Sequence, residues 1–210
     1  PLPSPLACPP SACGPWEAPA AVVLLAGSKA LLEVERQAPD QVLPAFVGHL
    51  RVLGRQFDQC VIDTPPALGL RMSAALMAAQ FVCCPIELEE YSLDGVTDML
   101  KTVLGVQQRY NPGLSLLGLL ANRFNGHSPR QKAALEELLA RYREFMLPAK
   151  LSTRSAIPEA LAVGLPVWRL PKSAAREASA EVLGLFAWMR ARMQADSAVT
   201  TGGGAAAEVP

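Results

Sequence analysis

The chain has 210 residues, of which 50% are hydrophobic, and its 19 basic and 19 acidic side chains cancel to a formal charge of zero. This length suffices for one globular domain that buries most of its apolar surface, so folding requires no disulfide or metal. The charge balance argues against a uniformly basic nucleic-acid binder and against an acidic disordered protein. No apolar run approaches the length of about 18 residues that a membrane span needs, and we expect a soluble protein.

Two terminal segments are predicted to lie outside the folded domain. Seven of the 19 prolines fall in residues 1–19, and proline suits neither helix interiors nor central strands. We therefore expect residues 1–19 to form a linker or irregular coil. Residues 194–210 include a Gly/Ala-rich stretch without an apolar packing face, which predicts a disordered tail. The folded α/β domain is expected to span residues 20–193.

Between these limits, short apolar runs alternate with amphipathic stretches. In chain order, the pattern predicts a strand at 22–26, a helix at 39–56, a strand at 59–62, a helix at 72–79, a strand at 81–86, a helix from 93 to about 110, a strand at 114–121, a helix at 129–143, a strand at 145–147, a helix at 157–163, a strand at 166–168 and a helix at 173–193. Strands that are apolar on both faces and alternate with helices are typical of a covered parallel sheet. We predict an α/β fold with a doubly wound, mostly parallel sheet and helices on both faces.

The five cysteines provide no evidence for a metal centre. No CxxC pair occurs, and the two histidines lie far from the adjacent Cys83 and Cys84. Buried, reduced thiols are the simplest interpretation, and they are typical of a cytoplasmic protein. The sequence also lacks GxxxxGK[ST] and GxGxxG. Residues 27–29 (GSK) follow the first predicted strand, but they lack the first glycine and the loop length of a phosphate-binding loop.

Polar residues at the predicted strand ends are the candidate site, because ligands of doubly wound sheets bind beyond the carboxyl ends of the strands. Asp63 follows the strand at 59–62, where a carboxylate can hold the hydration shell of Mg²⁺ or only cap the next turn. The acids at positions 87, 89 and 90 precede a helix, whose dipole they favour. Asn122 ends the most hydrophobic strand, where its amide can contact an adenine edge or only form a turn.

The charges are unevenly distributed along the chain. Residues 58–98 contain seven acids and one base, whereas residues 141–192 contain nine bases and four acids. A basic face near the last helix can neutralise DNA phosphates without reading sequence. Scattered, solvated basic side chains are the alternative.

Three segments carry a resemblance to a known family. In chain order they read FDQCVIDTPPALGLRMSAALMAAQFVCCPIELEEYSLDGV, LLGLLANRFN and LPAKLSTRSAIPEALAVGLPVWRLPKSAAREASAEV. Together they resemble the ParA-type partition ATPases, a deviant-Walker P-loop family that also includes the septum-site MinD proteins. The likeness spans residues 22–193 and is greatest to the partition ATPases of broad-host-range plasmids. The resemblance implies a P-loop NTPase-like fold.

The resemblance also implies a nucleotide site. Asp63 matches the Walker-B acid, which is catalytic and holds Mg²⁺ through water. Thr64 and Pro65 match the loop that senses the γ-phosphate, and Asn122 falls at an adenine-contacting position. The cofactors implied for the complete protein are ATP and Mg²⁺.

The same resemblance implies a surface for non-specific DNA binding. Arg154 and Lys172 match basic positions associated with DNA, and Arg176 is added from its charge at the start of the same helix. The alternative for Arg154 is a structural ion pair with Glu159. Loss of one phosphate contact is expected to lower the log–log salt slope of DNA binding by about one unit.

The sequence departs from the family in one large respect, because the family's first strand–loop–helix unit with KGGVGKT is absent. We expect this chain to be a fragment of a longer protein; a degenerate relative that cannot hydrolyse ATP is the alternative. The chain by itself is expected to show no ATP turnover, since the phosphate-binding amides and the signature lysine are missing.

The function expected of the complete protein is plasmid or chromosome partition in the bacterial cytoplasm, in association with the nucleoid. It would act as an ATP-dependent homodimer with non-specific DNA and a ParB-like centromere-binding protein as partners, and without membrane contact. Two alternatives stay open. One is a non-enzymatic ParA-like interaction module, and the other is a MinD-like septum-positioning ATPase. The basic amphipathic helix that usually ends MinD-like proteins is not visible in TTGGGAAAEVP.

Overall fold

The computed structural model describes residues 6–8, 22–25, 27, 29, 31–65, 68–89 and 93–202. The elements, in chain order, are β1 (Leu6–Cys8), β2 (Val22–Leu24), α1 (Leu31–Val34), α2 (Pro39–Leu53), α3 (Leu70–Ala78), β3 (Phe81–Glu87), α4 (Leu93–Arg109), β4 (Ser115–Phe124), α5 (Pro129–Tyr142), β5 (Met146–Ser152), α6 (Ala156–Ala162) and α7 (Ala175–Gly202). Two 3₁₀ turns, Arg143–Phe145 and Val167–Arg169, precede β5 and α7.

The central feature is a parallel sheet of three strands in the order β3-β4-β5. Parallel neighbours need a crossover that returns the chain to the starting edge. Here α4 connects β3 to β4, and α5 connects β4 to β5. The middle strand β4 is buried continuously from Leu117 to Ala121, as its unbroken apolar run predicts.

Helices cover both faces of the sheet, and adjacent β4 residues, which point to opposite faces, show this. Leu119 belongs to a core that joins β3 and β4 to α3, α4 and α5. The next residue, Leu120, packs with Leu147 of β5 and Leu185 of α7 in a second core. The predicted α/β class, with a parallel sheet between helices, is confirmed.

Two predicted strands are wrong. Residues 59–62 form neither helix nor strand and have no ladder partner among the described residues, and Val61 is 93% exposed. An apolar run becomes a strand only where a neighbour supplies its backbone hydrogen bonds. The strand predicted at 166–168 is a 3₁₀ turn instead. Pro166 lacks the N–H that a ladder uses, and Val167 is buried against α6 and α7.

The N-terminal expectations are only partly met. Of the predicted strand at 22–26, Val22–Leu24 forms β2, which pairs antiparallel with Leu6–Cys8 in a separate two-stranded sheet. The prediction of coil over residues 1–19 is therefore wrong at 6–8, because pairing with β2 satisfies the backbone N–H and C=O groups of that segment. The other residues of 1–19 lie outside the described part of the chain.

The last helix is longer than predicted. It continues to Gly202, so the disorder expected from residue 194 onward is wrong up to residue 202, and residues 203–210 lie outside the described part. The extension has contacts that fix it, since Ser115 Oγ donates to the Asp196 carboxylate at 2.7 Å. Arg192 Nε pairs with the same carboxylate at 3.2 Å across one helical turn. In the described part of the chain, no helix has both the length and the apolarity needed to cross a bilayer.

Candidate functional site

The carboxyl ends of the three parallel strands meet at one edge of the sheet. Glu87 at the end of β3 lies opposite Asn122 of β4, and Phe124 at the end of β4 lies opposite Ser152 of β5. The loop 125–128 leads from β4 to α5, and residues 153–155 lead from β5 to α6. Open parallel sheets bind their ligands at this edge, so it is the candidate site.

Asp63 lies in the irregular segment between α2 and α3. Its carboxylate is exposed, and no hydrogen bond or ion pair joins it to another described residue. Thr64 and Pro65 are half-buried. The oxygen atoms of Asp63 are therefore available to the water shell of a cation, which is the way Mg²⁺ commonly binds to proteins.

The start of α3, just after this segment, is held by Glu35. The Glu35 carboxylate accepts the Leu70 N–H at 2.7 Å and the Arg71 Nε–H at 2.7 Å. A Cβ on the N-cap residue Gly69 would come within 2.7 Å of Glu35 Oε2, so a larger residue there would require the Glu35 carboxylate to shift. The Arg71 guanidinium and the helix amides hold the pKa of the Glu35 carboxyl below its ordinary value.

Asn122, the predicted adenine contact, is half-buried and lies at an irregularity in the pairing of β4 with β5. The next residue, Arg123, has a φ of 51°, which is rare for a residue with a side chain. Its Nη1 lies 3.3 Å from Glu87, and its carbonyl accepts the Thr153 Oγ–H at 2.7 Å. Contacts to β3 and to the residue after β5 therefore hold this irregularity and with it the position of Asn122.

A cavity of about 240 Å³ lies beyond the ends of β4 and β5. It is lined by residues 124–127 and by Lys150 and residues 152–154. Lys150 Nζ lies 4.5 Å from the centroid of the Phe124 ring. Phe124 is only 7% exposed, so the cavity presents chiefly the Lys150 cation, hydroxyl groups and backbone amides, which suit a polar ligand.

None of the nucleotide contacts predicted from the sequence lines this cavity; Asn122 lies two residues before its first lining residue. Arg154, which was predicted as a DNA contact, is part of the lining. The loop 125–127 and Lys150 were missed. A usable signal existed for the loop, because Asn125 and Gly126 form a turn directly after the most hydrophobic strand.

Arg154 is held by acids of α7 rather than by Glu159. Its Nη2 lies 2.9 Å from Glu181, and its Nη1 contacts Glu177. Hydrogen bonding and the two negative charges raise the pKa of Arg154. Partial burial favours a higher pKa for Glu181, but hydrogen bonds from Ser152 N–H and from Arg154 outweigh it and lower that pKa. The charge of Arg154 is thus largely neutralised within the fold.

The other two predicted DNA contacts lie near the start of α7. Lys172 pairs with Glu159 through its Nζ. Arg176, in the first turn of α7, is exposed, and no carboxylate of the described residues pairs with it. Of the three predicted basic contacts, Arg176 is the one with an uncompensated charge.

The chain is similar to known proteins in sequence and in structure. Residues 17–116 match the family model of an AAA domain. The chain is 40% identical over 176 residues to Protein IncC of Escherichia coli, which covers 83% of this chain and 48% of that protein. It is 30% identical over 118 residues to the chromosome partitioning protein ParA of Myxococcus xanthus, covering 56% of this chain and 42% of that protein.

A solved structure has a similar fold. Cobyrinic acid a,c-diamide synthase from Mycobacterium smegmatis, with bound ADP and magnesium, superposes with a TM-score of 0.54 at 29% identity. The match covers 63% of this chain and 55% of that one. The chain spans about half the length of the curated relatives it matches. The resemblance inferred from the sequence segments is confirmed.

Proposed function

We propose that the whole protein, as a member of the ParA-type family of partition ATPases, segregates plasmid or chromosomal DNA as an ATP-dependent dimerising switch. The observation that carries the proposal is the 40% identity with Protein IncC over 176 residues. That similarity extends across the sheet edge described above.

ATP and Mg²⁺ are the proposed cofactors, and the residues of the sheet edge fit them. The cavity beside Phe124 and Lys150 has a polar lining that can hydrogen-bond to an adenine ring. The exposed Asp63 carboxylate, which has no ion-pair partner among the described residues, suits a cation that keeps its water shell. When bound, Mg²⁺ supplies charge neutralisation at the phosphates.

Within this proposal the residues of the chain have separate tasks. Asp63 holds the cation's water shell, and Thr64 and Pro65 follow it as the loop that senses the terminal phosphate. Asn122, near the end of β4, is the adenine contact that the family resemblance implies, although it does not line the cavity. The backbone amides of a Walker-A loop, which are not encoded in the 210 residues, complete the phosphate site in the whole protein.

The proposed output is DNA binding by the ATP-bound homodimer, with release stimulated by a ParB-like centromere-binding protein. Arg154, Lys172 and Arg176 are the proposed DNA-backbone contacts, and this surface would associate the protein with the nucleoid. Two of the three already have carboxylate partners in the fold. We therefore expect Arg176 to contribute most to the salt dependence of DNA binding.

The nucleotide part is tested by ATP turnover and Mg²⁺–ADP affinity in the whole protein carrying Asp63→Asn. Turnover should be lost, because the neutral amide no longer attracts the hydrated cation. Asp58→Asn is the matched control, an exposed acid five positions earlier in the same segment, and it should keep wild-type turnover. Equal turnover in wild type and Asp63→Asn would contradict the assignment. Residues 1–210 alone should show no turnover.

The DNA part is tested by duplex affinity across a salt series with ATP present. Arg176→Ala should lower the log–log salt slope by about one unit and weaken all sequences alike. Arg109→Ala is the control, since Arg109 ends α4 on the opposite face of the sheet from α7. An Arg176→Ala slope equal to that of wild type would remove this residue from the DNA surface. DNA binding that is unaffected by nucleotide would favour a non-enzymatic interaction module.

A further inference from the structure

We propose that Gln131 is a positioning residue of the nucleotide pocket, and that it holds the pocket loop 125–128 to the segment that follows β3. The inference rests on the proposed function, because it concerns the same pocket. It adds a residue that lines neither the cavity nor the predicted site and acts through Asn125 and Glu89.

Gln131 is the one polar side chain that is fully buried among the described residues, with 2% of its surface exposed. It lies in the first turn of α5, where its N–H donates to the N-cap hydroxyl of Ser128 at 3.3 Å. Its Oε1 accepts the Asn125 N–H at 2.7 Å, and its Nε2 donates to Glu89 Oε1 at 2.8 Å. One amide therefore connects the loops at the ends of two neighbouring strands.

The two bonds fix the orientation of the amide. Rotation by 180° would place the NH₂ group against the Asn125 N–H and the carbonyl oxygen against the Glu89 carboxylate. A buried amide that loses its partners is destabilising, and a bond to a charged group is stronger than a neutral one. Movement of either loop is therefore opposed by the other loop through this side chain.

The Asn125 end of this connection reaches the cavity wall. Asn125 Oδ1 accepts the His127 N–H at 3.0 Å, and the Asn125 carbonyl accepts the Ser128 N–H at 3.0 Å. These bonds make the loop one ordered unit, and residues 125–127 line the cavity. A shift of the Asn125 amide thus changes the shape of the pocket.

The Gln131 side chain is not needed to hold α5 in place. The fully buried Leu138 and the buried Tyr142 anchor that helix to the main core. The Tyr142 hydroxyl also hydrogen-bonds to Thr97 of α4. The hydrogen bonds of the buried Gln131 amide therefore hold the two loops rather than α5.

Exchanging the side chains of Glu89 and Gln131 in the whole protein tests the proposal. Gln131→Glu places a carboxylate against Glu89 and should weaken Mg²⁺–ADP binding by about tenfold and speed hydrogen exchange of the Asn125 amide. The double variant Glu89→Gln/Gln131→Glu should restore both, because the new carboxylate accepts from Asn125 N–H and from the amide at 89. Its net charge equals that of wild type. Gln131→Met, which introduces no charge, should speed the same exchange even if Gln131→Glu fails to fold.

Gln107→Glu is the matched control. Gln107 Nε2 donates to the Leu114 carbonyl at 2.6 Å, away from the cavity, so its variant should lose stability but keep ADP affinity and Asn125 exchange. Unchanged Asn125 exchange in Gln131→Met and Gln131→Glu, or a double variant without recovery, would overturn the proposal. If wild type binds no ADP, the proposed function fails, and the exchange measurements still decide whether Gln131 holds the loop.

Discussion

Replacing Glu181 by alanine tests the contact between the end of β5 and α7. The Glu181 carboxylate accepts the Ser152 N–H at 2.7 Å and the Arg154 Nη2–H at 2.9 Å. Glu181→Ala removes both bonds and leaves a backbone donor and a guanidinium without this partner. Glu177→Ala is the control, because Glu177 contacts the same guanidinium from a more exposed position.

The expected loss of unfolding free energy depends on how exposed the two carboxylates are. Breaking a fully buried ion pair costs about 3–5 kcal/mol, whereas an exposed pair contributes about 0–1 kcal/mol. The side chains of Arg154 and Glu181 are 33% and 23% exposed, so water replaces part of the lost bonding. We expect a loss of about 2–3 kcal/mol for Glu181→Ala. Glu177 is 72% exposed, and its variant should lose less than about 1 kcal/mol.

Urea unfolding of wild type and both variants, followed by circular dichroism, measures these differences. The low pKa of Glu181 means that its contribution is present above the usual carboxyl range and is lost as pH falls through the lowered value. The difference between wild type and Glu181→Ala should therefore shrink in acid. Equal losses for the two variants at pH 7 would refute the argument from exposure.

Four other predictions concern stability and reactivity. Gly118→Ala should lose more than about 2 kcal/mol of unfolding free energy, because φ is 137° and the new Cβ would lie 2.6 Å from a backbone oxygen. Gly184→Ala, whose Cβ meets nothing within 4 Å, should gain up to about 1 kcal/mol in the same urea titration. Glu35→Gln should destabilise at pH 7 and approach wild type in acid, because the lowered pKa of Glu35 stabilises only while the carboxyl is charged; urea midpoints at both pH values check this. Iodoacetamide at pH 8, with sites mapped by mass spectrometry, should label exposed Cys60 and spare Cys84, whose pKa burial and the neighbouring thiol raise to about 12.

Local sequence was sufficient where burial produces a regular pattern. The unbroken apolar run of β4 and the helical stripe of α4 predicted both elements, because their environments are uniform along their lengths. The strand β5 was predicted too short, since exposed Pro148 and Lys150 interrupt its apolar run. The strand at 59–62 was wrong because pairing depends on a neighbour, which the run itself does not encode.

From the sequence, a residue of the candidate site could be placed only where its position along a strand determines its location. Asn122 was placed at a strand end by its sequence alone, and the structure has it there. The acids that hold Arg154 lie 23 and 27 residues further along the chain, and no local pattern identifies them. Gln131 was missed because glutamine is usually exposed, and only the meeting of two loops makes this one buried.

The two ends of α7 are fastened to opposite edges of the sheet. Near its start, Glu181 binds Ser152 at the carboxyl end of β5, and near its end Asp196 binds Ser115 at the amino end of β4. These two acids are separated by about 22 Å of continuous helix at a rise of 1.5 Å per residue. A continuous helix resists bending. Movement at the carboxyl edge of the sheet would therefore be transmitted through α7 to the amino edge, and it would tilt the start of the helix, where Arg176 lies.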